Sequence, residues 1–209
     1  MNSRSRFAQP TGTQERLHLA AVDLFTEQGY QNTSLRDLAA HLGIGAGSLY
    51  YHIESKQALL FDLIEECMSD LLGLTRARLK NVQGMRPRLR AFVGAFVEFQ
   101  LGERKRLQLM LRERRNLTAE QRRLLGALHH EYTQCLAVII GPVTIHGSLE
   151  GPRMKCFTRG VIGMLESLPD VEDIEPPQQV TEQLTAMILG AAASISSMGG
   201  AASIRAGAR

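Results

Sequence analysis

Residues 33–56 read TSLRDLAAHLGIGAGSLYYHIESK, two short helical patterns about a glycine-containing turn. Ser34 carries the short polar side chain that caps a helix start, and Asp37 three residues on completes a capping-box pair. Leu35, Leu38, Ala39 and Leu42 then recur at helical spacing and give one apolar face. Gly43 stops that helix, because glycine enters the left-handed region at little cost. Ile44 plugs the turn. Helical pattern is predicted to resume over Ser48-Leu49-Tyr50-Tyr51-His52-Ile53, and Ser55 caps a further, long helix with Lys56 in its first turn. Consecutive Tyr50, Tyr51 and His52 cannot share one helix face, so some of these polar tips point outward. Helix, tight turn, helix is the helix-turn-helix arrangement, whose second helix enters the DNA major groove.

Working outward, Thr13 to Gln28 carries Leu17, Ala20, Ala21, Leu24 and Phe25 as an apolar stripe ended by Gly29. From Lys56 to about Asn81, Leu59, Leu60, Leu63, Ile64, Cys67, Met68, Leu71 and Leu72 mark a long helix of roughly 39 Å. Further helices are predicted over Arg88–Gln100, Arg104–Arg115, Thr118–Ile140, Met154–Leu168 and Gln178–Met198, with Thr118 and Gln121 forming a second capping box. No strand pattern interrupts them, and the expected class is all-α.

Thr33, Leu38-Ala39, Leu42-Gly43-Ile44, Gly47 through Ile53, and Ser55-Lys56 with Leu59-Leu60 together resemble the DNA-binding domain of the tetracycline-repressor (TetR) family. The resemblance implies an N-terminal helix-turn-helix domain over residues 1–60, with a basic arm at 1–12. It also implies a regulatory ligand-binding and dimerisation domain over 61–198; a disordered Gly/Ala/Ser tail is expected over 199–209. By the same resemblance Thr33, Ser34, Tyr50, Tyr51 and Lys56 fall where family members touch the DNA backbone. Hydroxyls and a helix N-terminal ammonium are suitable phosphate donors on physical grounds as well. Arg36, Ala46, Gly47, Ser48 and His52 fall near base edges. Ala46 and Gly47 are small, so thymine-methyl contact, water bridges and DNA shape carry more of the expected specificity.

Charge is unevenly placed. Residues 1–60 hold Arg4, Arg6, Arg16, Arg36 and Lys56 against Glu15, Asp23, Glu27, Asp37 and Glu54, so the helix-turn-helix region is neutral and lacks the usual basic footprint. Residues 76–123 carry fourteen Lys or Arg against four Glu, whereas 166–182 are acidic. Beside the basic segment, Phe92, Phe96, Phe99, Met110, Leu128 and Tyr132 read either as core or as the wall of an effector pocket, with Arg114 and Arg115 as an anion site. The run Arg112-Glu-Arg-Arg-Asn-Leu-Thr-Ala-Glu-Gln is similar to acyl-CoA-responsive regulators of the TetR family, which implies a ligand with an apolar tail and an anionic head. The other reading of these cations is a solvated face that attracts DNA at a distance.

Other classes find little support. Cys67, Cys135 and Cys156 are widely spaced, which gives neither a zinc pattern nor a disulfide framework and suits a reducing cytoplasm. His129, His130 and Cys135 lack matched ligand spacing, so no metal is expected. No nucleophile, base and metal set converges, so neither an enzyme nor a cofactor is expected. The start of the chain lacks a signal-peptide core, and 184–204 are too rich in Ala, Gly and Ser for a membrane span. The expected partners are a double-stranded DNA operator, a small-molecule effector, and a second copy docking through 154–168 and 178–198, which makes the operator palindromic. A helical adaptor that binds no DNA is the alternative. It accounts for the bundle but leaves Tyr50, Tyr51, His52 and Lys56 without a purpose.

Overall fold

The structure, a computed structural model, describes residues 12–141, 152–168 and 176–206, with side chains as far as 194. The arm residues Arg4 and Arg6, the loop around 142–151 and most of the acidic loop lie outside the described residues. Thr13–Glu27 (α1), Leu35–Leu42 (α2), Ala46–Leu49 (α3), Lys56–Leu79 (α4), Met85–Gly102 (α5), Arg104–Glu113 (α6), a 3-10 turn at Arg114–Asn116, Ala119–Ile140 (α7), Pro152–Glu166 (α8) and Pro177–Ala206 (α9) follow in order. No strand occurs among the described residues, and no described helix is long and apolar enough to cross a membrane.

The chain divides into two units. The first comprises residues through Cys67 together with Arg104–Leu124. Its core takes the predicted α1 stripe of Leu17, Ala20, Ala21, Leu24 and Phe25, then Leu38, Leu49, the α4 residues Leu59, Leu60, Leu63 and Ile64, and Leu107, Leu109 and Met110 of α6. Leu107, Leu109 and Met110 are the buried residues of α6, which packs on α1. A sequence boundary near residue 60 assigns 104–124 to the regulatory region; here α6 packs on α1, and Lys105 Nζ reaches Asp23 Oδ1 at 2.6 Å and Glu27 Oε1 at 3.0 Å.

The second unit comprises Met68–Glu103 and the chain from Leu125. Its core holds Leu71 and Leu72 of α4, Leu89, Phe92, Val93 and Phe96 of α5, Tyr132, Leu136, Ile139 and Ile140 of α7, Val161, Ile162 and Leu165 of α8, and Val180, Leu184 and Ile188 of α9. Much of α5 lies on α9, where Gly94 faces the Thr181 methyl. On α7 Tyr132, Leu136, Ala137, Ile139 and Ile140 are buried, while Leu124 is exposed and Leu128 half-buried. Helix α9 runs through to Ala206, across part of the stretch expected as a tail.

Candidate nucleic-acid interface

The capping box at the start of α2 forms as read. The Ser34 side chain accepts from the Asp37 N–H at 3.2 Å, and Asp37 Oδ2 accepts from the Ser34 N–H at 2.7 Å. The Ser34 hydroxyl also donates to that carboxylate at 2.7 Å. These bonds hold the Asp37 carboxyl below its ordinary pKa. Gly43 closes α2 at φ 67°, in the left-handed region, and the Gly43 and Ile44 N–H groups bond back to Ala40 and Ala39 at 3.1 and 3.0 Å. The next helix begins at once.

That helix is shorter and earlier than expected. It spans Ala46–Leu49, with Tyr50 as its C-cap. Bonds from His52 N–H and Ile53 N–H to the Leu49 carbonyl, at 2.9 and 3.2 Å, carry one more turn to Ile53. Leu49 and Ile53 anchor the segment in the core. Tyr50 and Tyr51 are therefore thrown outward, 60% and 89% exposed. Arg36, Ala46, Gly47, Ser48 and His52 are exposed too. Exposed aromatic rings of this size are unusual on a protein surface with no partner to cover them.

Lys56 is the first residue of α4. Its ammonium donates to the Gln31 carbonyl at 3.5 Å and lies 4.2 Å from the centre of the Tyr30 ring. Partial burial lowers its pKa, opposed by the charges of Asp37 and Glu113. Tyr30 is itself held edge-on by Phe25, with centroids 5.3 Å apart, and its hydroxyl donates to Gln57 Oε1 at 3.1 Å. Ser34 and Lys56 thus present two helix N-termini and an ammonium together, a favourable setting for phosphate oxygens.

Thr33 is a correction. It is 1% exposed, and its hydroxyl turns inward toward the carbonyls of Gly29 at 3.0 Å and Leu24 at 3.4 Å. It fastens the end of α1 and offers no hydroxyl to DNA. Sequence reasoning misses two residues here: Tyr30, the platform under Lys56, and Gln57, whose Nε2 donates to the Asn116 carbonyl at 3.1 Å and to Gln121 Oε1 at 2.8 Å. Gln31 Nε2 donates to Asn116 Oδ1 at 3.2 Å. Nothing local in the sequence signals these bonds, whose partners lie 59 to 85 positions apart.

The residues expected to line an effector pocket are divided between the two units. Phe92 and Tyr132 stack with ring centroids 5.0 Å apart and 30° between planes, and Phe96 and Phe99 are buried on the same helix as Phe92. Leu128 is half-buried on α7. Met110, Arg114 and Arg115 belong instead to the first unit, Met110 in its core and both arginines exposed. The 3-10 turn that carries the arginines is tied to Gln31 and Gln57. The second unit has its own cationic cleft of about 670 Å³, with Arg76, Lys80 and Arg88 over Ala77, Leu79 and Val138. Glu131 neutralises Arg76 at 2.6 Å, and the Arg88 Nε is buried without a hydrogen-bond partner. The Tyr132 hydroxyl is likewise buried without a hydrogen-bond partner; the neighbouring Thr75 hydroxyl donates to the Leu71 carbonyl at 2.8 Å and keeps its lone pairs free to accept. Burial drives the phenol pKa upward.

Two short helices at a left-handed glycine turn, set ahead of a second helical unit, define a helix-turn-helix protein of the bacterial regulator class. Residues 19–63 match the family described as "Bacterial regulatory proteins, tetR family", and residues 83–170 match "Tetracyclin repressor-like, C-terminal domain". The chain belongs to the TetR family. It is similar to the HTH-type transcriptional repressor KstR2 of Rhodococcus jostii (strain RHA1), 31% identical over 121 residues, 57% of this chain and 59% of that protein. It is also similar to the HTH-type transcriptional activator FasR of Mycolicibacterium smegmatis, 31% identical over 83 residues, 40% and 38% of the two chains. The chain therefore spans less than two thirds of the length of these curated relatives. The crystal structure of AibR in complex with isovaleryl coenzyme A and operator DNA shares the fold, with a TM-score of 0.72 at 21% identity over 83% of this chain and 96% of that one.

Proposed function

We propose that this protein is a sequence-specific transcriptional repressor that leaves a palindromic operator when a small amphipathic ligand binds its second unit. The observation that carries the reading is the exposed Tyr50-Tyr51-His52 ridge beside the N-termini of α2 and α4, with Lys56 held at its edge. Ser34, Tyr50, Tyr51 and Lys56 grip phosphates. Arg36, Ala46, Gly47, Ser48 and His52 meet base edges. One such helix reads few base pairs, so a C2 pair is needed. A second copy docks on α8 and α9, where an apolar cleft of about 610 Å³ includes Phe157, Val161, Met164 and Ile188 and leaves Met187 61% exposed.

The ligand is proposed to be an acyl-CoA or a similar anion with an apolar tail. Arg76, Lys80 and Arg88 supply the charge for its head, and Ala77, Leu79 and Val138 give the same cleft its apolar surface. The neighbouring fold seen with isovaleryl coenzyme A and operator DNA supports this chemistry.

The test is fluorescence anisotropy of the purified chain on its own upstream region, with and without a long-chain acyl-CoA. Tight, salt-sensitive binding that is released by acyl-CoA and weakened across sequences in Tyr50→Phe/Lys56→Ala is expected. Failure to enrich any duplex from a random-sequence pool would overturn the DNA-binding reading, whereas tight binding indifferent to acyl-CoA would overturn only the ligand.

A further inference from the structure

The helix-turn-helix region is electrically neutral through residue 60, yet its polyanionic partner demands positive charge. The first unit obtains that charge from a distant part of the chain. Arg104–Leu124 brings eight Lys or Arg against only Glu113 and Glu120. Several of these cations are already engaged. Lys105 pairs with Asp23 and Glu27, Arg106 with Glu66 at 3.9 Å, and Arg123 with Glu120 at 2.6 Å. Arg112 and Arg115 are exposed and make no ion pair among the described residues.

Their position is set by the bonds at the end of α6. Lys105 ties the start of α6 to α1. At the other end Asn116, next to Arg115, takes hydrogen bonds from Gln31 and from Gln57. Gln31 lies three residues before the N-cap of α2 and accepts from Lys56; Gln57 is the second residue of α4. The 3-10 turn therefore sits at the end of the unit where α2 and α4 both begin, the end that faces phosphate in the reading above.

We propose that Arg112 and Arg115 form an accessory, sequence-independent contact to the DNA backbone, flanking the half-site that α3 reads. This rests on the DNA-binding reading and deepens it. Free arginines at this spot add favourable phosphate charge and carry no base specificity. Arg115 thereby serves DNA, where the sequence alone assigns Arg114 and Arg115 to an anionic effector.

The experiment uses the full chain with Arg112→Ala/Arg115→Ala, and a second variant with Lys at both positions. Affinity is measured by anisotropy over a range of salt, on an operator duplex selected with the wild-type protein and on an unrelated duplex of equal length. The Ala variant is expected to bind both duplexes about tenfold more weakly, with the slope of log K against log salt reduced by about 0.9 for each phosphate left unneutralised. The Lys variant is expected to recover most of the slope, and thermal midpoints are expected to match because both side chains are exposed. An unchanged slope in the Ala variant overturns the inference while leaving operator binding intact. Normal DNA binding with loss of acyl-CoA release also overturns it, in favour of an effector site. A wild-type chain that selects no duplex at all removes the parent reading, an outcome distinct from either.

Discussion

The ammonium of Lys56 rests 4.2 Å from the centre of the Tyr30 ring. The ring holds a cation in place before any phosphate arrives, so less side-chain freedom is lost on binding. Tyr30→Leu is expected to weaken operator affinity about two- to fivefold, the scale of about 0.5–1 kcal/mol for a partly exposed cation–π contact. Tyr30→Phe keeps the ring face and is expected to bind like the parent. Equal affinity of all three chains in an anisotropy titration would show that the platform is irrelevant to binding.

The inward Thr33 hydroxyl makes a separable prediction. Thr33→Val keeps the shape and loses the donor to Gly29 and Leu24. Unfolding is expected to become easier by about 1 kcal/mol, read as a lower urea midpoint. Operator affinity of the folded protein should not change, and a selective loss of affinity would return Thr33 to the DNA-touching set.

Acid titrates the cap of α2. The Asp37 carboxyl is held below its ordinary value of 3.8 by the Ser34 hydroxyl first and the Ser34 N–H second. A carboxyl with a depressed folded pKa adds stability that is fully present above its unfolded pKa and disappears as pH falls through the folded value. The thermal midpoint of Asp37→Asn should therefore lie below the parent near neutral pH, and the two curves should converge as pH drops under about 4. Parallel curves down to about pH 3 would mean that the capping carboxylate contributes nothing.

Inside the second unit, Tyr132 carries a hydroxyl without a hydrogen-bond partner. Burying an unmet polar group is costly, so Tyr132→Phe is expected to leave the ligand-free protein unchanged or more stable by up to about 1 kcal/mol. Phe92→Ala, by contrast, removes one of the largest buried side chains and leaves Tyr132 without its ring partner, and is expected to cost about 3–5 kcal/mol. Urea denaturation of the two variants side by side gives the comparison.

What is legible in the sequence is mostly local. The Ser34–Asp37 box, the Gly43 stop, the Thr118–Gln121 box and the α1 stripe depend on residues within one or two helical turns of each other, and each forms. The membership of α6 in the first unit depends on pairs such as Lys105 with Asp23, 82 positions apart, which no periodicity encodes. The same holds for Thr33. A threonine before a helix cap reads as a free hydroxyl until Gly29, at φ 87°, bends the chain so that the side chain meets the end of α1. The brevity of α3 is hidden because the helical spacing of Leu49 and Ile53 persists through a turn that is no longer α-helix.

Lys56 and Gln57 are consecutive, and successive side chains on a helix point about 100° apart. One faces the edge where Ser34 begins α2, while the other faces Asn116 and Gln121. Surface grip and internal fastening are thus locked in phase at a single joint. One residue inserted between Gln57 and the buried Leu59 would turn both side chains about 100° out of phase with the core face of α4 and break both sets of contacts at once. Chain length at this joint is a stricter constraint than the chemistry of either side chain, and a protein engineer grafting this head onto another body should cut elsewhere.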